Sequence, residues 1–249
     1  MNKNRGLYYS NEVLIFPLLI LLVMVIVFWF ESIFNFNFNY LGIYPRKLVG
    51  LRGIIFSPFI HGDIKHLFNN SIPILVLTSA LFYFYRNIRW KVLIYGTLLT
   101  GLLTWLIGRT SLHIGASGVI YMLTSFLLFR GIFSKQYQLT ALSFIVIFLY
   151  GGFIWYVFPI DDKISWEGHL SGFIVGLFFS LLFNKETLKN KKYIWEREEY
   201  KPEEDAFMKH FDEEGNFIEE LTSEEDVEEE SKPLQVNYIL KKNKLEEDE

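Results

Sequence analysis

The 249-residue chain contains no cysteine. Disulfides, thiolate nucleophiles and Cys-ligated metal sites are thereby excluded. Acidic side chains are nearly missing from the first three quarters. Up to Asn184 there are 6 Asp+Glu against 13 Lys+Arg, and after it 22 against 11, giving +7 for the body and −11 for the tail. No repeat of fixed period is present. Histidine is scarce too, five in all. What is abundant is apolar: 51% of the residues are hydrophobic, and they crowd upstream of the acidic end. That distribution describes an all-α polytopic membrane protein.

The pattern predicts a short N-terminus (1–12), a membrane domain (13–184) and an acidic, largely disordered cytoplasmic tail (185–249). The first apolar run, 13–30, is longer than a signal-peptide core and lacks a small-x-small cleavage site, so it reads as a retained span. Residues 31–65 are too polar to cross a membrane but carry Phe34, Phe36, Phe38, Tyr40, Tyr44, Phe56 and Phe59, which suits an interfacial loop. Five further spans follow at 66–85, 92–107, 117–129, 139–158 and 166–183. Placing both termini in the cytoplasm puts eleven Lys and Arg inside, Arg130 among them, and six outside.

Polar side chains within spans are costly and usually face a protein interior or a water-filled cavity. Three stand out: Asn70, Ser117 and His169. Asn70 lies 16 residues before Arg86, His169 lies 16 before Lys185, and Ser117 lies 13 before Arg130 and 18 before Lys135. At ~1.5 Å per residue each sits roughly 20–27 Å above the inner flank of a ~30 Å core. Singly, each reads as a private hydrogen bond between helices, and Ser117 as an N-cap. Convergence at one depth points elsewhere.

Peptide hydrolysis by serine needs a base for the hydroxyl proton and donors where the carbonyl oxygen becomes negative. His169 can be the base. The Ser117 amide at a helix start, Asn70, and His66 one turn before Asn70 can supply the donors. Gly115 and Gly118 allow a substrate backbone to come close. Gly172 and Gly176 form a Gly-x-x-x-Gly face that would carry the imidazole towards a neighbouring helix, and Tyr121 is placed to lie beneath its ring.

Gly115-Ala116-Ser117-Gly118 at the start of the fourth span, His66-Leu67-Phe68-Asn69-Asn70 at the start of the second and His169 to Gly176 in the sixth resemble, together and in order, the signatures of the rhomboid intramembrane serine proteases. The resemblance covers Val13 to Asn184. It implies a six-transmembrane-helix bundle, a Ser117–His169 dyad without a third acidic member, an oxyanion hole from His66, Asn70 and the Ser117 amide, and Tyr121 stacked on the histidine. It implies substrates that are themselves transmembrane segments. Where the family often has a Trp-Arg pair, this chain has Leu51-Arg52.

The other chemistries fit less well. No His-Glu-x-x-His pattern supports zinc hydrolysis, although His61, His66, His113 and His169 all fall towards the outer side. Val119 stands where a Gly-x-Ser-x-Gly elbow needs its second glycine. The polar level is too close to one surface, and the halves too dissimilar, for a transporter built of repeats. An inactive rhomboid-like binder of transmembrane clients is the alternative. No metal, cofactor or nucleic acid is expected; the expected partners are the bilayer and membrane-protein substrates, at the bacterial inner membrane. His61, His113 and His210 read as loop or tail residues.

Overall fold

The computed structural model describes residues 9–134, 136–160, 164–183, 200–201, 207, 210–211 and 214–217. Its longer helices are α1 (Glu12–Phe34), α3 (Ile64–Phe84), α4 (Arg89–Ile107), α5 (Ser117–Ser134), α6 (Tyr137–Tyr150) and α7 (Trp166–Leu182), with the one-turn α2 (Gly53–Phe56) in the first loop. Among the described residues α1, α3, α4 and α5 are long and apolar enough to cross a membrane, and α6 and α7 are shorter apolar helices. The chain is a multi-pass integral membrane protein.

Burial sorts the helices by position. On α3 the buried Leu67, Asn70, Ile74, Leu77 and Leu81 recur at helical spacing, so one stripe faces the bundle and the rest faces lipid. α1 buries only Val13, Pro17 and Met24, and leaves Leu14, Leu18, Leu22 and Ile26 exposed. α5 buries Val119 through Leu123, Ser125, Phe126 and Leu127, covering every side of its cylinder, which makes it the central post.

α5 and α7 are the most extensively packed pair. Their backbones meet through glycine: a β-carbon on Gly172 would collide with the Gly118 carbonyl oxygen, and one on Gly176 with the Met122 carbonyl oxygen. Close approach of this kind substitutes for the hydrophobic driving force that is lacking between helices in lipid. Ser125 Oγ donates across the same seam to the Phe173 carbonyl at 2.8 Å. On its other side α5 meets α6, where Ser143 Oγ donates to the Leu128 carbonyl at 2.8 Å.

Three boundaries differ from the sequence expectation. The fourth apolar helix runs on to Ser134, so Arg130 is not a flanking charge but lies inside α5, fully buried. The apolar stretch 139–158 is helical only to Tyr150 and tightens into a 3-10 turn over Gly151–Val157. Gly151 and Gly152 explain the break, since each glycine costs a helix interior about 1 kcal/mol relative to alanine. The first helix extends to Phe34, where Asn35 takes a left-handed C-cap, φ 53.

The segment between α1 and α3 is built of short turns, Phe38–Leu41, Leu48–Arg52, α2 and Ser57–Phe59, with Leu48, Val49, Ile55 and Phe56 exposed. Arg52 anchors it, donating to the Tyr40 carbonyl at 2.8 Å with its guanidinium 5.2 Å from the Tyr40 ring centroid. Ile43 pairs with His113 through two backbone hydrogen bonds of 2.9 Å, tying this loop to the segment before α5.

The chain divides into compact units at 1–190 and 191–249. Most of the tail, 185–249, lies outside the described residues; within it Phe211 and Phe217 form an antiparallel bridge around Gly215, φ 83.

Candidate active site

Three helices begin around one point. α5 starts at Ser117 itself, delivered by Gly115, whose φ of 100 lies in the left-handed region and whose amide donates to the Ser57 carbonyl at 2.8 Å. α3 starts at Ile64, capped by Asp63, which accepts the His66 amide at 2.8 Å. α7 starts at Trp166 behind its N-cap Ser165. Helix N-termini carry partial positive charge and free N–H groups, so the place where they meet favours a developing anion.

Ser117 Oγ lies 2.9 Å from His169 Nε2. On the far side of the ring, His169 Nδ1 lies 2.9 Å from the Tyr156 carbonyl oxygen. A carbonyl can only accept, so Nδ1 carries the proton and Nε2 presents its lone pair to the serine hydroxyl. The imidazole is buried, and the Tyr121 ring stacks on it with centroids 4.1 Å apart and planes 9° from parallel.

His66 and Asn70 face the same spot from α3. A β-carbon built on Gly115 would lie 2.6 Å from His66 Nε2 and 3.7 Å from Asn70 Nδ2, so only glycine leaves the space before these donors open. Asn70 is buried and spends one N–H on the His66 carbonyl at 3.0 Å. Its amide has a second. The Ser117 amide, first in its helix, has no intrahelical acceptor. A Gly118 β-carbon would come within 3.2 Å of Thr100 Cγ2 and 3.3 Å of the Gly168 carbonyl. A cavity of about 40 Å³ beside Ser117 is lined in part by Ser57, Thr100, Thr104 and His113, which is room and polarity enough for water.

His61 and His113, which the sequence alone places in loops, lie here as well. His61 is 2% exposed, and its ring centroid is 5.0 Å from that of His66. Burial, then the nearby His66, lowers its pKa to about 4. The sequence signal was its spacing of five residues before His66. His113 is buried behind Ser117 with Glu167, a residue the sequence reading passed over. Among the described residues no three His, Asp or Glu side chains converge as metal ligands would.

A bundle that sets a serine–histidine pair and a ring of donors at helix starts belongs to the class of polytopic membrane proteins with a buried polar centre. Residues 49–186 match the Rhomboid domain family. The chain is 34% identical over 198 residues to the uncharacterized protein Rv1337 of Mycobacterium tuberculosis, covering 75% of this chain and 80% of that one. The same identity extends over 161 residues of the uncharacterized protein ML1171 of Mycobacterium leprae, 60% of this chain and 63% of that one. The chain belongs to the rhomboid family.

Proposed function

We propose that the protein is an intramembrane serine endopeptidase with Ser117 as nucleophile and His169 as general base. The observation that carries this reading is the hydrogen bond between them together with the tautomer imposed by the Tyr156 carbonyl. Ser117 Oγ attacks the scissile carbonyl carbon while its proton passes to His169 Nε2. The oxyanion that forms is met by the Ser117 amide and by His66 and Asn70. The C–N bond then breaks, the amine leaves with the proton held by His169, and an acyl ester remains on Ser117. Water gives its proton to His169 and its oxygen to the acyl carbon, and the proton returns to Ser117 as the acid departs. Tyr121 keeps the ring in plane, and Gly172 and Gly176 keep its helix against α5.

On this reading α6 and its 3-10 continuation complete six spans, with both termini in the cytoplasm of a bacterial cell. The substrates are transmembrane segments cut near their outer ends, where Gly, Ala or Pro loosens the helix enough to free a carbonyl from its own hydrogen bond. Admission is sideways past the 3-10 segment, whose Trp155 and the neighbouring Phe158 are exposed. The side chain of Phe153, the third aromatic of that stretch, lies outside the described residues. The acidic tail is dispensable for the chemistry.

Rhomboid proteins are usually serine proteases, but inactive members exist, and an inactive client-binding role is the competing reading. Labelling of detergent-solubilised protein with a fluorophosphonate separates the two. Ser117 should label and Ser117→Ala should not; equal labelling, or none in the unaltered chain under conditions where it is folded, removes the protease reading.

A further inference from the structure

A second polar cluster lies between the segment that leads into α5 and the first turn of α7. His113 Nε2 is 3.1 Å from the Arg109 carbonyl oxygen, and His113 Nδ1 is 2.5 Å from Ser165 Oγ. Because the carbonyl only accepts, Nε2 carries the proton and Nδ1 accepts the serine hydroxyl. Burial lowers the pKa of His113 and so favours this neutral form. The same Ser165 Oγ accepts the Gly168 amide at 3.3 Å as the N-cap of α7.

Glu167 makes the second tie. It is 2% exposed, and its Oε1 accepts the Arg109 amide at 3.1 Å and lies 3.7 Å from Arg109 Nε. Arg109 Nη2 also donates to the Ile164 carbonyl at 2.7 Å. Two residues shortly before Ser117 therefore hold the two residues that stand four and two places before His169.

Capping and ion pairing alone would account for a stable helix start. What they leave unexplained is a buried carboxylate and a buried imidazole joining the same two segments, since even paired groups of this kind often stabilise no more than apolar ones of equal size. The chemistry supplies a reason. Ser117 and His169 are 52 residues apart, and their 2.9 Å contact spans the junction these bonds close. Reacting groups lose about a hundredfold in rate for a 1 Å misplacement.

We propose that His113 and Glu167, through Ser165 and Arg109, are positioning residues that fasten the start of α5 to the start of α7 and thereby set the Ser117–His169 hydrogen bond, an inference that rests on the protease reading. Neither touches substrate.

The test uses the full chain, with kcat and KM measured on a transmembrane model substrate and amide exchange followed over 109–117 and 165–169. Ser165→Ala and His113→Phe should each lower kcat about tenfold with KM unchanged within about twofold, the signature of misplaced reacting groups. Ser165→Thr keeps the hydroxyl and should restore turnover. The double variant Ser165→Ala/His113→Phe should be no worse than the poorer single one, because both remove the same bond. Single variants within about twofold of the unaltered kcat overturn the proposal, as does a double variant whose losses multiply, or a loss that Ser165→Thr fails to repair. If the unaltered chain is folded but neither labels nor cleaves, the protease reading falls instead. Exchange then decides the clamp: Ser165→Ala should speed both segments together, and unchanged exchange ends it.

Discussion

Gly172 stands so close to Gly118 that a β-carbon on the first would occupy the carbonyl oxygen of the second. The contact sets how near the helix of His169 comes to the helix of Ser117. Gly172→Ala should therefore push the two apart, costing about 1–3 kcal/mol as overpacking does and lowering the thermal midpoint of helix loss. Fluorophosphonate labelling of Ser117 should fall further than stability does. A variant that labels at the unaltered rate would show the spacing to be slack.

On the protease reading, the α3 side chains Asn70 and His66 donate only once charge develops on the substrate carbonyl. Replacing Asn70 by Leu keeps its bulk and removes its amide, and should lower kcat by about 10²–10³ while KM changes little. His66→Leu should behave likewise. The check is steady-state kinetics on a model transmembrane substrate, and a rise in KM at constant kcat would reassign both residues to substrate binding.

His61 predicts a pH dependence of stability rather than of chemistry. Its folded pKa, about 4, lies below the ordinary 6.5 because the cation would be buried beside His66, which outweighs the Phe59 backbone and Asp63 that favour it. The unfolded chain thus binds the proton more readily, and stability present above pH 6.5 is lost as pH falls towards 4. Thermal midpoints should drop across that window, and the drop should be smaller in His61→Gln. An identical drop in that variant would place the titration elsewhere.

The charges predict an orientation, ten Lys and Arg against six once Arg130 is counted inside α5. With both termini in the cytoplasm, a reporter fused after Lys192 should behave as cytoplasmic and one inserted at 161–163 as external. The reverse pattern would invert the protein in the bilayer.

The parts of the site legible in the sequence were those written in side chains at fixed spacing. Ser117, His169, His66, Asn70, Gly172 and Gly176 announce themselves because polar or minimal residues inside apolar runs need a reason. Tyr156 could not be read in this way: its contribution to His169 is a carbonyl oxygen, which any residue would supply. His113, Ser165 and Glu167 were hidden for a different cause, since polar residues near helix ends are ordinary and only the fold shows that His113 and Glu167 are buried and that Ser165 meets the imidazole. Arg130 misled because charge near the end of an apolar run resembles a flank, whereas α5 continues past it for another turn. The double glycine at 151–152 was visible, yet the apolar run across it suggested an unbroken helix.

The oxygen that accepts from His169 Nδ1 belongs to the 3-10 segment Gly151–Val157, the stretch proposed above as the side entrance for substrate. On that proposal, latch and trigger share one backbone atom. A segment displaced to let a client in would take the tether from the imidazole, and its return would arm the serine again. A looser doorway should admit faster and cut more slowly, seen as association and turnover rates moving in opposite directions.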